Sequence, residues 1–312
     1  MDQVYKLNKN KLTQVESVNF DLEREIQTIV ENNTEELFEL KVVKSEFSVG
    51  GYRIDTLCFD EETKSFVIIE YKKNKSYSVI DQGYSYLSTM INNKSDFVLG
   101  YIENTDKKIK RDQIDWSQSR IIFVSPSFSS HQKNSVNFKD VPFELWEITK
   151  ISKDLIGFNQ ITSSSKESIT KIGQKKGSVI TDVGKEIKVY DEEYHLNRVS
   201  SKSQNLFLEL KERMSSWEDV RFGSGRDYVS VKKKNKNKIY LNLQKNRIKI
   251  HLLSKVDFTG HVRQTKIKFI LKDPSKMFVL RKSKYKEQYE FYLEKTKDIE
   301  YLVLMLKQKY DS

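Results

Sequence analysis

Asp55, Glu70 and Lys72 are the residues of this chain whose types and spacing could do chemistry. They fall in the stretch GYRIDTLCFDEETKSFVIIEYKK, where two alternating apolar runs, Ile54 to Phe59 and Phe66 to Tyr71, flank the polar Asp60-Glu61-Glu62-Thr63-Lys64. That is the pattern of an antiparallel hairpin. If Phe59 pairs with Phe66, Asp55 stands opposite Glu70. Side chains alternate between faces with period two, so Lys72 points the same way as Glu70, and cross-strand partners share a face. Two carboxylates and an ammonium then converge on one patch beside the apolar Ile54, Ile68 and Ile69. A carboxylate in such surroundings is costly unless a cation meets it. The layout is that of a magnesium site with a lysine beside it. A surface ion-pair cluster on a hairpin would use the same three residues, so the flanking elements matter.

Those elements can be read from periodicity. Before the hairpin, Asp21 is placed to cap a helix from Leu22 to about Asn33, with Leu22, Ile26, Ile29 and Val30 as its apolar stripe. Strands are expected at about 42–48, 52–59 and 66–72. A second helix is expected from about Ser78 to Ile91, then a short element at 96–102 that could be helix or strand. Arg120 to Ser125, RIIFVS, reads as a buried strand, and Phe143 to Ile151 as another. The order is helix, three-stranded meander, helix, strand.

Composition sets the frame. A chain of 312 residues usually makes two domains, and 37% hydrophobic residues with 32% charged suit a soluble globular protein. No run of about eighteen apolar residues occurs, and MDQVYKLNKNKL lacks the apolar segment of a signal peptide, so a cytoplasmic location is expected. The single cysteine, Cys58, excludes an internal disulfide and a multi-cysteine zinc site. It reads as a small core residue. With four scattered histidines, any metal would be held by oxygen. His131 reads as a loop residue. The net charge of +11 is uneven: residues 191–312 hold 28 Lys and Arg against 16 Asp and Glu, a net of +12, which leaves −1 for residues 1–190. A basic C-terminal part suggests a polyanion, most simply nucleic acid, although lysine-rich solvated surfaces give the same count.

The hairpin and its flanking elements resemble the PD-(D/E)XK nuclease superfamily, the restriction-endonuclease-like fold, over roughly Phe20 to Ile151. Asp55 matches the first acidic residue of its motif and Glu70-Tyr71-Lys72 its E-x-K half, with Ile54 where the name has proline. Gln82 and Tyr86, four residues apart on one helix face, match the Q-x-x-x-Y signature of RecB-like and NucS-like members. The chain as a whole looks similar to uncharacterised bacterial proteins that join such a domain to a C-terminal domain of unknown function, DUF5655. Some of these are labelled predicted transport proteins, a label nothing membrane-spanning here supports. The resemblance implies a nuclease that hydrolyses phosphodiester bonds with Mg2+ or Mn2+, DNA before RNA. Asp55, Glu70 and the Tyr71 carbonyl would hold the metal, Lys72 would orient or deprotonate water, and Gln82 and Tyr86 would contact metal-bound water or the substrate backbone. Glu23 could serve as an accessory acid on the first helix, where it shares a face with Gln27. Glu46, on the strand before the hairpin, is placed to join the metal ligands. Glu23 and Glu25 fit a solvated helix edge as well.

The C-terminal half reads differently. A helix is expected from about Asn205 to Trp217, with Phe207, Leu210, Met214 and Trp217 facing a core. Lys238 to Gln244 and Arg247 to Leu253 alternate around Lys245-Asn246, which puts Ile239, Leu241, Leu243, Ile248, Ile250 and Leu252 on one face and Lys238, Tyr240, Asn242, Arg247, Lys249 and His251 on the other. Tyr240, Arg247 and Lys249 are candidate nucleic-acid contacts; a plain solvated sheet face is the competing reading. Strands at 265–272, 277–282 and 288–294 and a helix from Asp298 to Tyr310 complete the expectation.

The reading as a whole is an α+β protein with an α-β-β-β-α-β core and a second, smaller α+β domain: 1–161 nuclease-like, 162–190 a Ser-, Thr-, Lys- and Gly-rich linker, and 191–312 basic. The expected activity is that of a magnesium-dependent deoxyribonuclease, suited to restriction or antiphage defence. The partner is nucleic acid, DNA preferred, with no membrane and with homodimer formation left open. The alternative is a module that keeps the fold and binds nucleic acid or protein without hydrolysis.

Overall fold

The computed structural model describes residues 4–16, 18–73, 78–163, 165, 167–169, 178–256, 268–282 and 286–312. The chain forms two compact units, Met1–Val189 and Tyr190–Ser312. Among the described residues no helix is long and apolar enough to cross a membrane.

The first unit opens with a small hairpin, β1 (Tyr5–Asn8) and β2 (Lys11–Gln14), then α1 (Glu23–Glu31), α2 (Thr34–Phe38), β3 (Lys41–Val49), β4 (Tyr52–Asp60) and β5 (Ser65–Tyr71). It continues with α3 (Val79–Asn92), α4 (Lys94–Asn104), β6 (Arg120–Ser125), α5 (Ser130–Ser135), β7 (Phe143–Lys150), β8 (Ile156–Ile161) and α6 (Val179–Glu186). The α-β-β-β-α-β order is α1, β3, β4, β5, α3 and β6, and the fold class is α+β. Strands β3 to β8 lie in sequence order in one six-stranded sheet. Antiparallel pairs join β3 to β4 and β4 to β5, parallel pairs join β5 to β6 and β6 to β7, and β8 closes antiparallel on β7.

Both faces of this sheet are covered, which is why its central strands are nearly continuous apolar runs. On one face Cys58, Val67, Ile69, Tyr71, Ile122 and Val124 pack with Ile26 and Val30 of α1. On the other, Leu57, Phe59, Phe66, Ile68, Ile121 and Phe123 pack with α3 and α4 through Leu87, Met90 and Phe97. Phe59 pairs with Phe66, the expected register. Helix α1 differs at its start. Leu22 is the capping residue, makes no side-chain cap bond and is largely exposed, whereas Asp21 lies outside the helix with its amide bonded to Glu25. The element expected at 96–102 is helical, within α4.

The segment 162–190, read from composition as a linker, is partly structured within the first unit. Residues 164, 166 and 170–177 lie outside the described residues, while Ser178 caps α6, and Ile169, Val183 and Ile187 are buried in the core on the α3 face. Ile180 packs against the same core, so a few apolar residues dock a segment rich in Ser, Thr, Lys and Gly.

The second unit contains α7 (Glu192–Leu196), α8 (Ser201–Met214), β9 (Val220–Ser224), β10 (Val229–Lys233), β11 (Lys236–Gln244), β12 (Arg247–Val256), β13 (Val279–Lys282), β14 (Lys286–Leu293) and α9 (Ile299–Tyr310). Its six strands form an antiparallel sheet in the order β13-β14-β12-β11-β10-β9. Helices α8 and α9 cover one face, where Phe207, Leu210, Leu302 and Leu306 meet Ile239, Leu241, Ile248, Ile250 and Leu252. Of the strand expected at 265–272, residues 265–267 lie outside the described residues and 268–272 have no strand pairing. Strands β9 and β10 were not expected.

Gly83 on α3 sits against β7. A methyl group there would come within 2.4 Å of the Phe143 ring. In open helix, Gly→Ala stabilises by about 1 kcal/mol. Here the ring must move, so Gly83→Ala should instead destabilise by about 1–3 kcal/mol, measured as a lower urea midpoint at unchanged m-value.

Candidate metal centre

The site lies where β4 parts from β5. The β4–β5 ladder runs from Asp60–Ser65 to Thr56–Ile69 and ends there. At the next position Asp55 turns its carboxylate, not its backbone, to the neighbouring strand: Oδ2 accepts the Tyr71 amide at 3.0 Å. The β3–β4 ladder is also interrupted here. Ser45–Thr56 and Phe47–Ile54 pair, but Glu46, between them and across from Asp55, has a left-handed backbone (φ 53°). The Asp55 carbonyl is taken by Gln27 Nε2 from α1 at 3.2 Å.

Glu70 stands one residue from the carboxyl end of β5 and is only 2% exposed. Three donors meet a single oxygen of its carboxylate. Lys72 Nζ is 2.6 Å from Oε1, Gln82 Nε2 2.6 Å and the Tyr86 hydroxyl 3.3 Å. Gln82 and Tyr86 come from α3, one helical turn apart, and Gln82 Nε2 also reaches the Tyr86 hydroxyl at 3.1 Å. The other oxygens are left over. Glu70 Oε2 and Gln82 Oε1 are buried and have no hydrogen-bond partner. Each buried acceptor left this way costs about 1–3 kcal/mol.

Burial, and then the Asp55 charge, push the Glu70 carboxyl up to about 7 from an ordinary 4.5. Burial also raises Asp55, against the pull of the Tyr71 amide and Lys72. For Lys72, burial disfavours the ammonium, but the adjacent Glu70 outweighs it and the net shift is upward. The Tyr86 hydroxyl is pushed up by burial and by Glu70 and stays protonated. Two carboxylates that resist ionisation together beside one lysine make a site short of positive charge.

The structure thus brings together Asp55, Glu70, Tyr71, Lys72, Gln82 and Tyr86. Glu46 stands beside Asp55. Its Oε2 pairs with Arg53 Nε at 2.8 Å, and its Oε1 lies 3.4 Å from Gln27 Nε2, the nitrogen that also meets the Asp55 carbonyl. Glu23 accepts the Lys73 amide at 2.9 Å, and Glu25 pairs with Lys150 at 2.7 Å. Among the described residues no three carboxylates, histidines or cysteines form one metal-binding group. What remains is two carboxylates, an amide oxygen and a backbone carbonyl. That hard-oxygen set fits a cation that keeps several of its waters, as magnesium does. Sequence reasoning missed the support beneath Asp55: Gln27 also approaches Glu31, and Glu31 accepts the Thr56 hydroxyl at 2.5 Å. The spacing of Gln27 and Glu31, four apart on α1, was the available signal. Cys58 is buried, and burial raises its thiol well above the ordinary value.

A protein of Haemophilus influenzae, described as an uncharacterized protein, is 34% identical to this chain over 320 residues, covering 98% of each. The chain belongs to that protein's family. No protein-family model matches it, so the expected likeness to DUF5655 is not shown. A solved structure of a repair endonuclease from Pyrococcus abyssi matches 38% of this chain and 44% of its own, at 19% identity and a TM-score of 0.23. This chain therefore spans less than half of that endonuclease, and a likeness so slight does not bear on function.

A carboxyl held above its ordinary value binds its proton more tightly in the folded state. Its contribution to stability is fully present below about 4.5 and is lost as pH rises through about 7. In chelator-treated protein, the stability difference between wild type and Glu70→Gln should fall with pH across that window and be flat above it, as read from urea titrations. A difference independent of pH would show that Glu70 is ionised throughout.

Proposed function

We propose that the chain is a metal-dependent nuclease that hydrolyses phosphodiester bonds, with DNA as its substrate. The observation that carries this reading is the pair of buried, unpartnered oxygens, Glu70 Oε2 and Gln82 Oε1, beside Asp55 and a lysine. Structural ion-pair clusters are closed on themselves, whereas this one keeps acceptors turned inward with nothing to accept. The position adds support. Ligands of sheets with parallel strands gather at the carboxyl ends of those strands, and β5 is the first parallel strand of this sheet.

Asp55 and Glu70, with the Tyr71 carbonyl, would hold a magnesium or manganese ion, which supplies an activated water and offsets charge developing on the phosphate. Gln82 and Tyr86 hold Glu70 by one oxygen and so aim the other. Lys72 would give up part of its pairing with Glu70 and place its ammonium where negative charge grows in the transition state. Gln27 fixes the backbone of Asp55, which keeps the two carboxylates in register. A role in restriction or defence against foreign DNA is consistent with such an activity.

Purified protein should cut plasmid or linear DNA with magnesium or manganese and stop when chelator is added. Calorimetry should find divalent-metal binding in the wild type and its loss in Asp55→Ala and Glu70→Ala. Unchanged affinity in those variants would remove the metal assignment.

Lys72→Ala separates hydrolysis from binding. The side chain is 11% exposed and not a surface lysine, but Glu70 can take up a proton once its cation is gone, so the fold should survive, as checked by circular dichroism. The cleavage rate should drop about 100-fold or more, with a milder loss for Gln82→Ala. Equal rates for wild type and Lys72→Ala would favour a binding module that does no hydrolysis.

A further inference from the structure

In the second unit the sheet face opposite α8 and α9 differs in character from the face they cover. Register fixes which side chains share the opposite face. Tyr240 pairs with His251 and Asn242 with Lys249 across β11 and β12, and Lys249 pairs with Tyr292 and His251 with Glu290 across β12 and β14. On β10, Ser230 pairs with Tyr240; Tyr228, just before that strand, stands edge-on to Tyr240 with ring centroids 5.2 Å apart. At the far edge Arg281 of β13 pairs with Gln288. Lys238, expected on this face, leaves it. The β10–β11 ladder is irregular just there, and the Lys238 ammonium donates to the Ser312 carbonyl at the end of α9.

Three features of this face belong together. Three tyrosines, Tyr228, Tyr240 and Tyr292, present rings on an antiparallel sheet. The face holds Arg221, Lys232, Arg247, Lys249 and Arg281 against two carboxylates: Glu290, met by Lys249 at 3.2 Å and Arg281 at 3.9 Å, and Glu294 just past β14, met by Arg247 at 3.4 Å. The cations are threaded among the rings: the Arg247 guanidinium lies 4.2 Å and the Lys249 ammonium 5.6 Å from the centre of Tyr292. Tyr240 and Tyr292 are two strands and one residue pair apart, roughly 12 Å from strand spacing and rise, which suits two bases of one strand. The unit as a whole is basic, with a net of +12 from residue 191 onward.

We infer that this face binds single-stranded nucleic acid, bases stacking on Tyr240 and Tyr292 while Arg247, Lys249 and Arg281 follow the phosphates. Stacking requires unpaired bases, so a duplex, whose rings are already stacked, is the poorer ligand. The binding is separate from hydrolysis at the acidic cluster. It extends the expectation for Tyr240, Arg247 and Lys249 by committing the face to single strands.

The test is fluorescence anisotropy with the full chain in chelator, using labelled oligo(dT), oligo(rU) and a duplex of the same length. Both single strands should bind more tightly than the duplex, with affinity falling as salt rises through counterion release. Tyr240→Leu and Tyr292→Leu should each weaken binding about tenfold, whereas Tyr240→Phe, which keeps the ring, should bind like wild type. Equal thermal melting of all three variants excludes misfolding. Absence of binding, duplex preference, or unchanged affinity in both leucine variants would overturn the inference. The same preparations assayed for plasmid cleavage keep the two claims apart. A chain that binds through these rings but cuts nothing retains this site and removes the nuclease reading. One that cuts but ignores both leucine substitutions does the reverse.

Discussion

Everything at the acidic cluster depends on the burial of Glu70 with all its donors on one side. A carboxylate withdrawn from water needs compensation, and Lys72, Gln82 and Tyr86 supply it, but only to Oε1. The imbalance follows from geometry. Lys72 shares the face of Glu70 by strand parity, and Gln82 and Tyr86 come from one face of one helix, so all three approach from the same quarter. The orientation of the Gln82 amide is fixed by the same contact, since turning it over would set its carbonyl against the carboxylate.

That helix can come close only because position 83 has no side chain, and the strand below can hold Glu70 at its end only because β4 has already departed. Sheet continuity and site geometry are therefore in competition. The ladder between β3 and β4 lapses at Glu46, and the ladder between β4 and β5 ends before Asp55. The orphaned backbone groups are met by side chains instead, the Tyr71 amide by Asp55 and the Asp55 carbonyl by Gln27. Such replacement is what buried backbone polar groups demand when a sheet is interrupted.

Much of this was legible in the sequence, and the reasons differ by element. The β4–β5 register could be read because a slip of one residue would have put Phe59 and Phe66 on the wrong face. The Gln82–Tyr86 pair could be read because helical spacing puts residues four apart side by side. The backbone at Glu46 could not be foreseen, since no period predicts a left-handed residue inside a strand. Nor could Lys238, whose alternation is broken by an irregular ladder. Strands β9 and β10 escaped because Gly223, Gly225 and the run Lys232-Lys233-Lys234 obscure their apolar signal. The helix at 179–186 escaped because a few apolar residues in a segment rich in Ser, Thr, Lys and Gly resemble a linker. The triad of Arg120 with Asp60 and Glu144, drawn from three strands, lies beyond any local pattern.

The two faces of the first sheet are separate cores, and the cluster is tied to both. Asp55 is steadied from the α1 side through Gln27, and Glu70 from the α3 side through Gln82 and Tyr86. The gap between the carboxylates is thus the reading of a caliper whose jaws are two independently packed layers. A methylene gained or lost beneath either helix would be felt there as a change of spacing, although no residue lining the gap had altered. The cores of this unit act as parts of the instrument and not merely as its housing.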